Sequence, residues 1–346
     1  MAPSPDGARI AVQLADAADE DAVLGLVDTA TGELRRYPDI RCRYDEVLWQ
    51  EDSSRLEVAA SGSGRLVGLD PVSGERRESG LPPGVRVRLF RGGRRGLAAQ
   101  SRPGRPAELI DRATLRTLGT FAGIVRVLPS GDAVLVQDGT GLQALHVDSA
   151  TVRWRWADPG VRITSLAAHG DEVLIAGVRE GRSVLLRLVE GRPVEHRPVR
   201  CGGGPAVASG VAYDAGAFHA LVEGPTLPPR LVAAEELLNG RAAAPRRTDP
   251  ARTTHLTVTA DDGEDVTVVL TSPKDAEGPA PLILTCYGGF GVPSLPVFEP
   301  TVPAWTGHGG RYAIAQIRGG GEHGTAWRQA GRGRGKQRGV ADLAAA

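Results

Sequence analysis

The chain has 346 residues, and its 41 Lys and Arg residues balance 41 Asp and Glu residues, so its formal net charge is zero. This balance removes the global electrostatic argument for a nucleic-acid partner or an acidic membrane surface. No apolar run reaches the ~18 residues of a membrane span, and the N-terminus has no signal-peptide pattern. The three widely spaced cysteines, Cys42, Cys201 and Cys286, predict reduced thiols and a cytoplasmic location.

A turn pattern repeats about every forty residues. An apolar stretch ends in Asp, and a Thr or Ser three residues later is followed by Gly, at Asp28 and again at Asp70. Weaker copies follow at Asp111, Asp148 and Glu190, and the five positions are 42, 41, 37 and 42 residues apart. Asp accepts hydrogen bonds from the backbone N–H groups of a turn, and Gly takes the positive φ that such a turn requires. Each copy therefore predicts a turn between two strands.

Short strands at this period are typical of the four-stranded blades of a β-propeller. We predict a mainly β domain over residues 1–250 with about six recognisable blades. The first blade is a candidate for an incomplete one, because the chain begins almost within a strand. A β-sandwich, or an irregular all-β domain with accidental Asp turns, is the alternative for the same strands.

The pattern changes after about residue 250. In chain order the predicted elements are a strand at 253–259, an Asp-Asp-Gly turn at 261–263, a strand at 266–270, apolar strands at 282–286 and 312–317, and candidate helix starts at 325–330 and 340–346. The two apolar strands lack alternation, which is typical of strands covered on both faces. Each is followed by a glycine-rich loop, and this order of elements is typical of the beginning of an α/β sheet.

Two glycine motifs stand at the ends of these apolar strands. Residues 287–290 read Tyr-Gly-Gly-Phe, and residues 318–322 read Arg-Gly-Gly-Gly-Glu. With Trp327 and Lys336 further on, they occur in the order found in the prolyl oligopeptidase family of serine peptidases, which the chain resembles over residues 251–346. The resemblance implies that this segment is the N-terminal part of an α/β-hydrolase domain. It also implies a preceding propeller, which has seven blades in that family.

The resemblance implies roles for the first motif. In the family, the tyrosine at the position of Tyr287 donates its hydroxyl to the oxyanion of the tetrahedral intermediate, and such a donor must stand ready where negative charge develops. Gly288 and Gly289 would let the backbone turn sharply beside the substrate, and Phe290 matches a residue that lines the substrate pocket. His323 departs from the family pattern, in which this position is usually aromatic, and is interpreted as a loop histidine.

The nucleophile of that family is a serine in a G-x-S-x-G elbow, followed in the chain by the Asp and His of the triad. No serine of this chain has that context, and the nearest match is at Ser183 in the predicted propeller. By resemblance the nucleophile lies beyond the position of Asp342, so we predict an incomplete chain that lacks the Ser-Asp-His triad and is inactive alone. The implied partners are a short peptide substrate in the intact relative and, as a candidate, a complementing remainder of the catalytic domain.

Two other functions stay open at this point. A free-standing β-propeller binding module with a vestigial hydrolase segment fits the same strands. A nucleotide-binding protein is the third hypothesis, because Gly319, Gly321 and Gly324 satisfy G-x-G-x-x-G after a strand and Asp342 follows eighteen residues later. The Ala-rich, helix-like surroundings of Asp342 weigh against it, because a ribose ligand would stand at the end of a second strand.

The remaining charged and metal-binding residue types form no recognisable site. A basic, glycine-interleaved run over residues 328–338 has only Trp327 as a nearby aromatic residue, and it is interpreted as a solvated loop. The seven histidines show no metal-ligand spacing. We therefore predict no cofactor, no metal, no nucleic-acid partner and no membrane partner.

Overall fold

A computed structural model describes residues 1–15, 22–42, 47–60, 64–80, 85–92, 95–139, 141–201, 204–240 and 251–346. Up to Ala233, strands pair with their neighbours in the chain to form antiparallel sheets, and a mixed sheet with helices follows from Ala251. The predicted mainly β fold with a following α/β segment is therefore confirmed. The chain divides into two compact units, Met1–Arg155 and Trp156–Ala346.

The first unit contains four four-stranded antiparallel sheets, and the strands of each sheet follow chain order. The first sheet has β1 (Ala2–Pro3), β2 (Arg9–Leu14), β3 (Val23–Asp28) and β4 (Leu34–Arg41); the second has β5 (Val47–Trp49), β6 (Leu56–Ala60), β7 (Arg65–Leu69) and β8 (Arg76–Gly80); the third has β9 (Arg86–Gly92), β10 (Arg95–Ser101), β11 (Ala107–Asp111) and β12 (Thr117–Phe121); the fourth has β13 (Ile124–Ser130), β14 (Ala133–Asp138), β15 (Gly141–His146) and β16 (Val152–Ala157). Strand β1 has only 2 residues, and β16 ends just past the boundary of the unit.

Apolar side chains fill the space between consecutive sheets of this unit. Leu24 of the first sheet and Leu56 of the second belong to one buried cluster. On β9, Leu89 points into a cluster with the second sheet, whereas its neighbour Phe90 points into a cluster with Val134 of the fourth. Successive residues of a strand face opposite sides of the sheet, so one sheet packs against two others. Face-to-face stacking of small sheets is the arrangement of propeller blades.

The repeated Asp turns connect the third strand of a sheet to its fourth strand. Asp28 Oδ1 accepts the backbone N–H of Thr31 at 2.9 Å, and Asp70 and Asp111 make the corresponding bonds. The bond from Thr31 is the main cause that lowers the pKa of Asp28 below its ordinary value. In the third copy, Leu115 takes the place of the turn glycine and adopts a φ of +58°. The predicted copies at Asp148 and Glu190 are different turns: Ala150, only two residues after Asp148, has a φ of +59°, and Glu190 and Gly191 both have positive φ. The Asp turn therefore recurs in the first three sheets.

The second unit begins with two further antiparallel sheets. The fifth sheet has β17 (Arg162–His169), β18 (Glu172–Arg179), β19 (Arg182–Val189) and β20 (Arg192–Pro198); a short pair has β21 (Arg200–Cys201) and β22 (Gly204–Pro205); the sixth sheet has β23 (Val207–Asp214), β24 (Ala217–Gly224) and β25 (Leu227–Ala233). Helix α1 (Ala234–Leu238) follows β25 directly, at the point where the other sheets turn into a fourth strand. Leu174, Leu185, Val222 and Leu237 belong to one buried cluster that joins the two sheets and α1.

The rest of the second unit is an α/β segment. Its elements are β26 (Ala251–Thr259), β27 (Asp265–Pro273), β28 (Leu282–Cys286), α2 (Thr301–Gly307), β29 (Arg311–Gln316), α3 (Gly324–Ala330), a 3-10 turn (Gly333–Gly335) and α4 (Lys336–Ala345). The sheet order is β26-β27-β29-β28, in which β28 and β29 are parallel and the other pairs antiparallel. The predicted hairpin, both strands and both helices are therefore confirmed. No helix within the described ranges is long and apolar enough to cross a bilayer.

Strand β28 lies at the edge of this sheet, and its side chains are more exposed than the sequence predicts. Leu282 is 50% exposed and Ile283 is 37% exposed, whereas Ala313 and Ala315 of β29 are buried. The prediction of a strand covered on both faces is therefore wrong for β28, because β29 is the one described element that contacts it extensively and no described helix covers its faces. It is correct for the inner positions of β29, which lies between two neighbours.

Candidate functional site

The two glycine motifs lie side by side at one edge of the α/β sheet. The first glycine loop (residues 287–291) follows β28, and the second glycine loop (residues 318–324) follows β29. Because β28 and β29 are parallel neighbours, their carboxyl ends meet at the same edge. The backbone N–H of Gly291 donates to the carbonyl oxygen of Gly319 at 3.0 Å. The two motifs therefore form one continuous structure.

Glycine is required where the two loops cross. Gly319 has a φ of +102°, and a methyl group in place of its hydrogen would overlap the carbonyl oxygen of Gly288. Gly288 has a φ of +56°, and a methyl group there would overlap the side chain of Ile317. Side chains at either position would separate the loops, since both the space and the backbone conformation exclude them.

All four predicted site residues lie together on the first glycine loop. The Tyr287 side chain is 54% exposed, and its hydroxyl makes no hydrogen bond to a described residue. Its ring lies over Gly289, where a methyl group would be 3.5 Å from Tyr287 Cε1. Phe290 has a φ of +52° and is 83% exposed. The loop thus presents a free phenol donor and an uncovered aromatic ring at the same edge of the sheet.

Residues of α3 and α4 hold the backbone of both loops through hydrogen bonds. Lys336 Nζ donates to the carbonyl oxygen of Gly288 at 2.7 Å, at the start of α4. Trp327 Nε1 donates to the carbonyl oxygen of Ile317 at 3.1 Å, and the N–H of Gly319 donates to the carbonyl oxygen of Trp327 at 3.1 Å. The sequence singled out Trp327 and Lys336 as companions of the motifs, but it did not predict that they hold the loop backbones.

Arg318 is buried between two carboxylates. Its guanidinium bonds Asp342 at 2.5 Å and 3.0 Å, and it also bonds Asp262 in the β26–β27 turn at 2.5 Å. The backbone N–H of Arg318 donates to Asp342 at 2.8 Å. Hydrogen bonds donated to Asp342, and then to Asp262, raise the pKa of Arg318 above its ordinary value. This cluster joins the second glycine loop to α4 and to the hairpin.

The same cluster argues against the dinucleotide hypothesis. Asp342 is fully buried in α4 and already bonded to Arg318, so it is not placed to bind a ribose. Gly324 begins a helix of only 7 residues. The ring of His323 packs edge-on against Trp327, with 4.7 Å between the ring centroids. His323 is thus a loop histidine that packs on the underlying helix.

Two polar groups, the side chain of Gln316 and the carbonyl oxygen of Glu322, join the α/β segment to Gly181 in the fifth sheet. Gln316 Nε2 donates to the carbonyl oxygen of Gly181 at 2.9 Å and to that of Ser294 at 3.0 Å. Glu322 Oε1 accepts the N–H of Ser294 at 2.6 Å, while the Glu322 carbonyl oxygen accepts the N–H of Gly181 at 3.1 Å. Burial raises the pKa of Glu322 above its ordinary value. No local sequence signal predicts these contacts, because Gly181 is 135 residues from Gln316.

Comparison with known proteins extends the local resemblance to the whole chain. Residues 296–346 match the model of the prolyl oligopeptidase family. A prolyl endopeptidase of Elizabethkingia miricola is 39% identical over 75 residues, which are 21% of this chain and 11% of that protein. A solved prolyl endopeptidase structure superposes with a TM-score of 0.76 at 20% identity and covers 99% of this chain and 57% of its own.

A second solved structure has the same fold. Prolyl oligopeptidase B of Galerina marginata, bound to a 35-residue substrate, superposes with a TM-score of 0.75 at 14% identity, over 99% of this chain and 56% of that one. The chain thus spans little more than half the length of these two structures. Residues 296–346 are thus similar in sequence to the prolyl oligopeptidase family, and the chain shares the fold of these two structures over nearly all of its residues.

Proposed function

We propose that this chain supplies the propeller and the first part of the catalytic domain of a serine peptidase that cleaves short peptides after proline. Residues 1–250 are assigned to the propeller and residues 251–346 to the catalytic domain. The single observation that carries the proposal is the free Tyr287 hydroxyl on a loop whose backbone is fixed by Gly319 and Lys336. A preorganised donor of this kind is what acyl transfer requires for its oxyanion.

The proposed roles of the loop residues come from the family resemblance, and their exposed position on one loop supports them. Tyr287 would donate to the oxyanion, and Gly288 and Gly289 would keep the backbone close to the substrate without side chains. The exposed Phe290 ring would contact an apolar substrate side chain, with proline as the expected one. In this proposal the nucleophile, its base and its acid come from outside the 346 residues, since no G-x-S-x-G occurs among them.

The 346-residue chain alone is expected to be inactive in such an assay, because the acceleration left without a nucleophile is several orders of magnitude below that of an intact triad. The purified chain would be incubated with a fluorogenic prolyl-peptide amide, with an unrelated protein purified in the same way as the control. We expect equal background rates. Turnover that stays with this chain through further purification would contradict the proposal of inactivity.

The intact mass of the product in its native source tests the assignment to a larger enzyme. A mass well above 36.3 kDa, near twice that value, would support a whole peptidase. In that product, Tyr287→Phe should lower kcat by roughly 10²–10³ with little change in KM. A stable product of 36.3 kDa would instead favour the free-standing binding module.

A complementing part of the catalytic domain is the proposed partner besides the peptide. The second edge of β28 pairs with no described strand, and the side chains of Leu282 and Ile283 in this strand are exposed. An open parallel edge with apolar side chains is a surface on which further strands pair. A cytoplasmic location is also proposed, and it rests on the sparse, widely spaced cysteines of the sequence.

A further inference from the structure

A half-buried arginine without a partner stands beside the candidate site. The side chain of Arg162, the first residue of β17, makes no hydrogen bond or ion pair with any described residue. It lies over the second glycine loop, where a methyl group on Gly321 would be 3.0 Å from its Nε atom and would overlap the carbonyl oxygen of Gly291. The Arg162 guanidinium and the end of the first glycine loop therefore face the same point.

A second guanidinium approaches the same loop from α3. A methyl group on Gly291 would lie 2.6 Å from Cδ and 3.1 Å from Nε of Arg328. Arg328 is exposed and makes no hydrogen bond to a described residue. Burial, and next the nearby charge of Arg328, lower the pKa of Arg162 below its ordinary value. Two like charges have thus been brought together next to Phe290, at an electrostatic cost.

The nearby Glu322 carboxylate offsets this pair only in part, although its charge acts to raise the pKa of Arg162. Glu322 forms no ion pair with Arg162 within the described ranges; its Oε1 accepts the N–H of Ser294, and its Oε2 lies against Gly320. That Oε2 atom is buried and has no hydrogen-bond partner, and neither has the buried hydroxyl of Ser294. Burial also favours the uncharged form of Glu322. The arginine pair therefore retains unpaired positive charge.

We propose that Arg162 and Arg328 form a carboxylate-binding subsite at the end of the first glycine loop, next to Phe290, for a peptide that carries a free carboxylate. Guanidinium groups match a carboxylate through two parallel N–H···O bonds, and such bonds gain strength when partly shielded from water. The inference rests on the proposed function in one respect, since the ligand is a peptide lying over the Tyr287–Phe290 loop. The carboxylate belongs to the C-terminus of the peptide or to an acidic side chain.

The test is a comparison of short peptides that differ in one charge, with binding followed through the arginine Nε–H NMR signals of the 346-residue chain. The probes are N-acetyl-Ala-Pro with a free carboxylate, its amide, and the amide of N-acetyl-Asp-Ala-Pro. Matched probes carry Ala in place of Pro. We expect at least one carboxylate probe to bind at least about tenfold more tightly than the neutral amide. A comparison of the affinities for the free acid and for the Asp-containing amide shows whether the subsite prefers a C-terminal or a side-chain carboxylate.

Variants assign the preference to the two arginines. Arg162→Gln should abolish the advantage of the carboxylate probe, and Arg162→Lys, which keeps the charge without the planar fork, should retain part of it. Arg192→Gln is the matched control, because Arg192 is an exposed arginine of the same unit on β20. If Arg162→Gln does not fold, Arg328→Gln, an exposed position on α3, should still reduce the preference several-fold.

Several outcomes overturn the subsite. Equal binding of acid and amide by the unaltered chain, no binding of either at millimolar concentration, or a preference that survives both Arg162→Gln and Arg328→Gln would each do so. The proline and alanine probes separate this result from the proposed function. If the chain prefers the proline probes but not the carboxylate probes, the subsite is refuted and the peptidase proposal stands. If it prefers the carboxylate probes but not the proline probes, the subsite stands and the preference for proline is refuted.

Discussion

Arg318 shows how one side chain fixes a loop that carries other residues. Its guanidinium reaches both Asp342 in α4 and Asp262 in the hairpin turn, and the Arg318 and Asp342 side chains are almost completely buried. An ion pair in the interior repays its lost hydration only when the remaining polar atoms are bonded as well. Here the backbone N–H of Arg318 also bonds Asp342. This contact therefore fixes the start of the second glycine loop to α4 and to the hairpin.

Removing the buried partner of Arg318 should be costly. Asp342→Ala leaves a buried guanidinium with only the partly exposed Asp262, so we expect a loss of roughly 3–5 kcal/mol in the free energy of unfolding. The measurement is urea unfolding followed by Trp fluorescence. Asp275→Ala, at an exposed turn position, is the control and should change the free energy little. A loss for Asp342→Ala as small as the control would refute the structural role.

Glu322 should make stability depend on pH. Burial raises its pKa in the folded state, so the protonated form stabilises the fold below the ordinary pKa of a glutamate, and this contribution is lost as the pH rises through the folded pKa. Gln at this position still accepts the Ser294 N–H and carries no charge. Glu322→Gln should therefore raise Tm relative to the unaltered chain at pH 7, and the gain should disappear near pH 4.

The control for this effect is Glu236→Gln, at an exposed position on α1. It should show no such crossover, because an exposed carboxylate keeps its hydration in both states. A Tm difference for Glu322→Gln that stays constant from pH 4 to pH 7 would be incompatible with a raised pKa.

Among the elements, the crossing of the two glycine loops is the most sensitive to substitution. Gly319 and Gly309 both have positive φ, of +102° and +85°, but only at Gly319 would a methyl group meet backbone atoms. Gly319→Ala should lower the free energy of unfolding by on the order of 3 kcal/mol, because overpacking adds to the backbone strain. Gly309→Ala should lower the free energy of unfolding by only about 1 kcal/mol, which is the cost of the backbone conformation.

Amide hydrogen exchange provides a local measurement of the same prediction. The N–H of Gly291 donates to Gly319 in the unaltered chain, and its exchange should accelerate in Gly319→Ala but not in Gly309→Ala. Equal stability losses and unchanged exchange at Gly291 would show that the loops do not depend on their close approach.

At the scale of the molecule, the second unit combines two propeller sheets with the α/β segment through buried polar contacts. Gln316 bonds the carbonyl oxygens of both Gly181, between β18 and β19, and Ser294. Glu223 of β24 likewise accepts the N–H of Phe298 at 2.8 Å. Such contacts make the residues from Trp156 to Ala346 a single compact unit.

Loss of the Gln316 contacts should weaken this unit as a whole. Gln316→Ala leaves two buried carbonyl oxygens without a donor, which costs roughly 2–4 kcal/mol. We expect amide exchange in β29 to accelerate more than exchange in β18, because the α/β segment loses its connection to the fifth sheet. Gln329→Ala, on the exposed face of α3, is the control. Equal acceleration in β18 and β29 would show that the contact does not couple them.

The sequence alone determined the elements whose signals are local. The Asp turns recur because each needs a carboxylate and a residue of positive φ at a short, constant spacing, and this pattern predicted the repeated sheets. The Asp-Asp-Gly turn and the apolar run before Tyr287 predicted the hairpin and β28 for the same reason. The order of the glycine motifs was sufficient for the resemblance to the prolyl oligopeptidase family.

Only the tertiary structure decided which residues meet. The pairing of Gly291 with Gly319, the burial of Arg318 between Asp262 and Asp342, and the unpaired Arg162 depend on contacts between distant segments. Hydrogen bonds and charges act over a few ångströms, whereas their partners here are tens to more than a hundred residues apart in the chain. The exposure of β28 was mispredicted for the same reason, since an apolar run indicates a strand but does not show whether other elements pack on its faces.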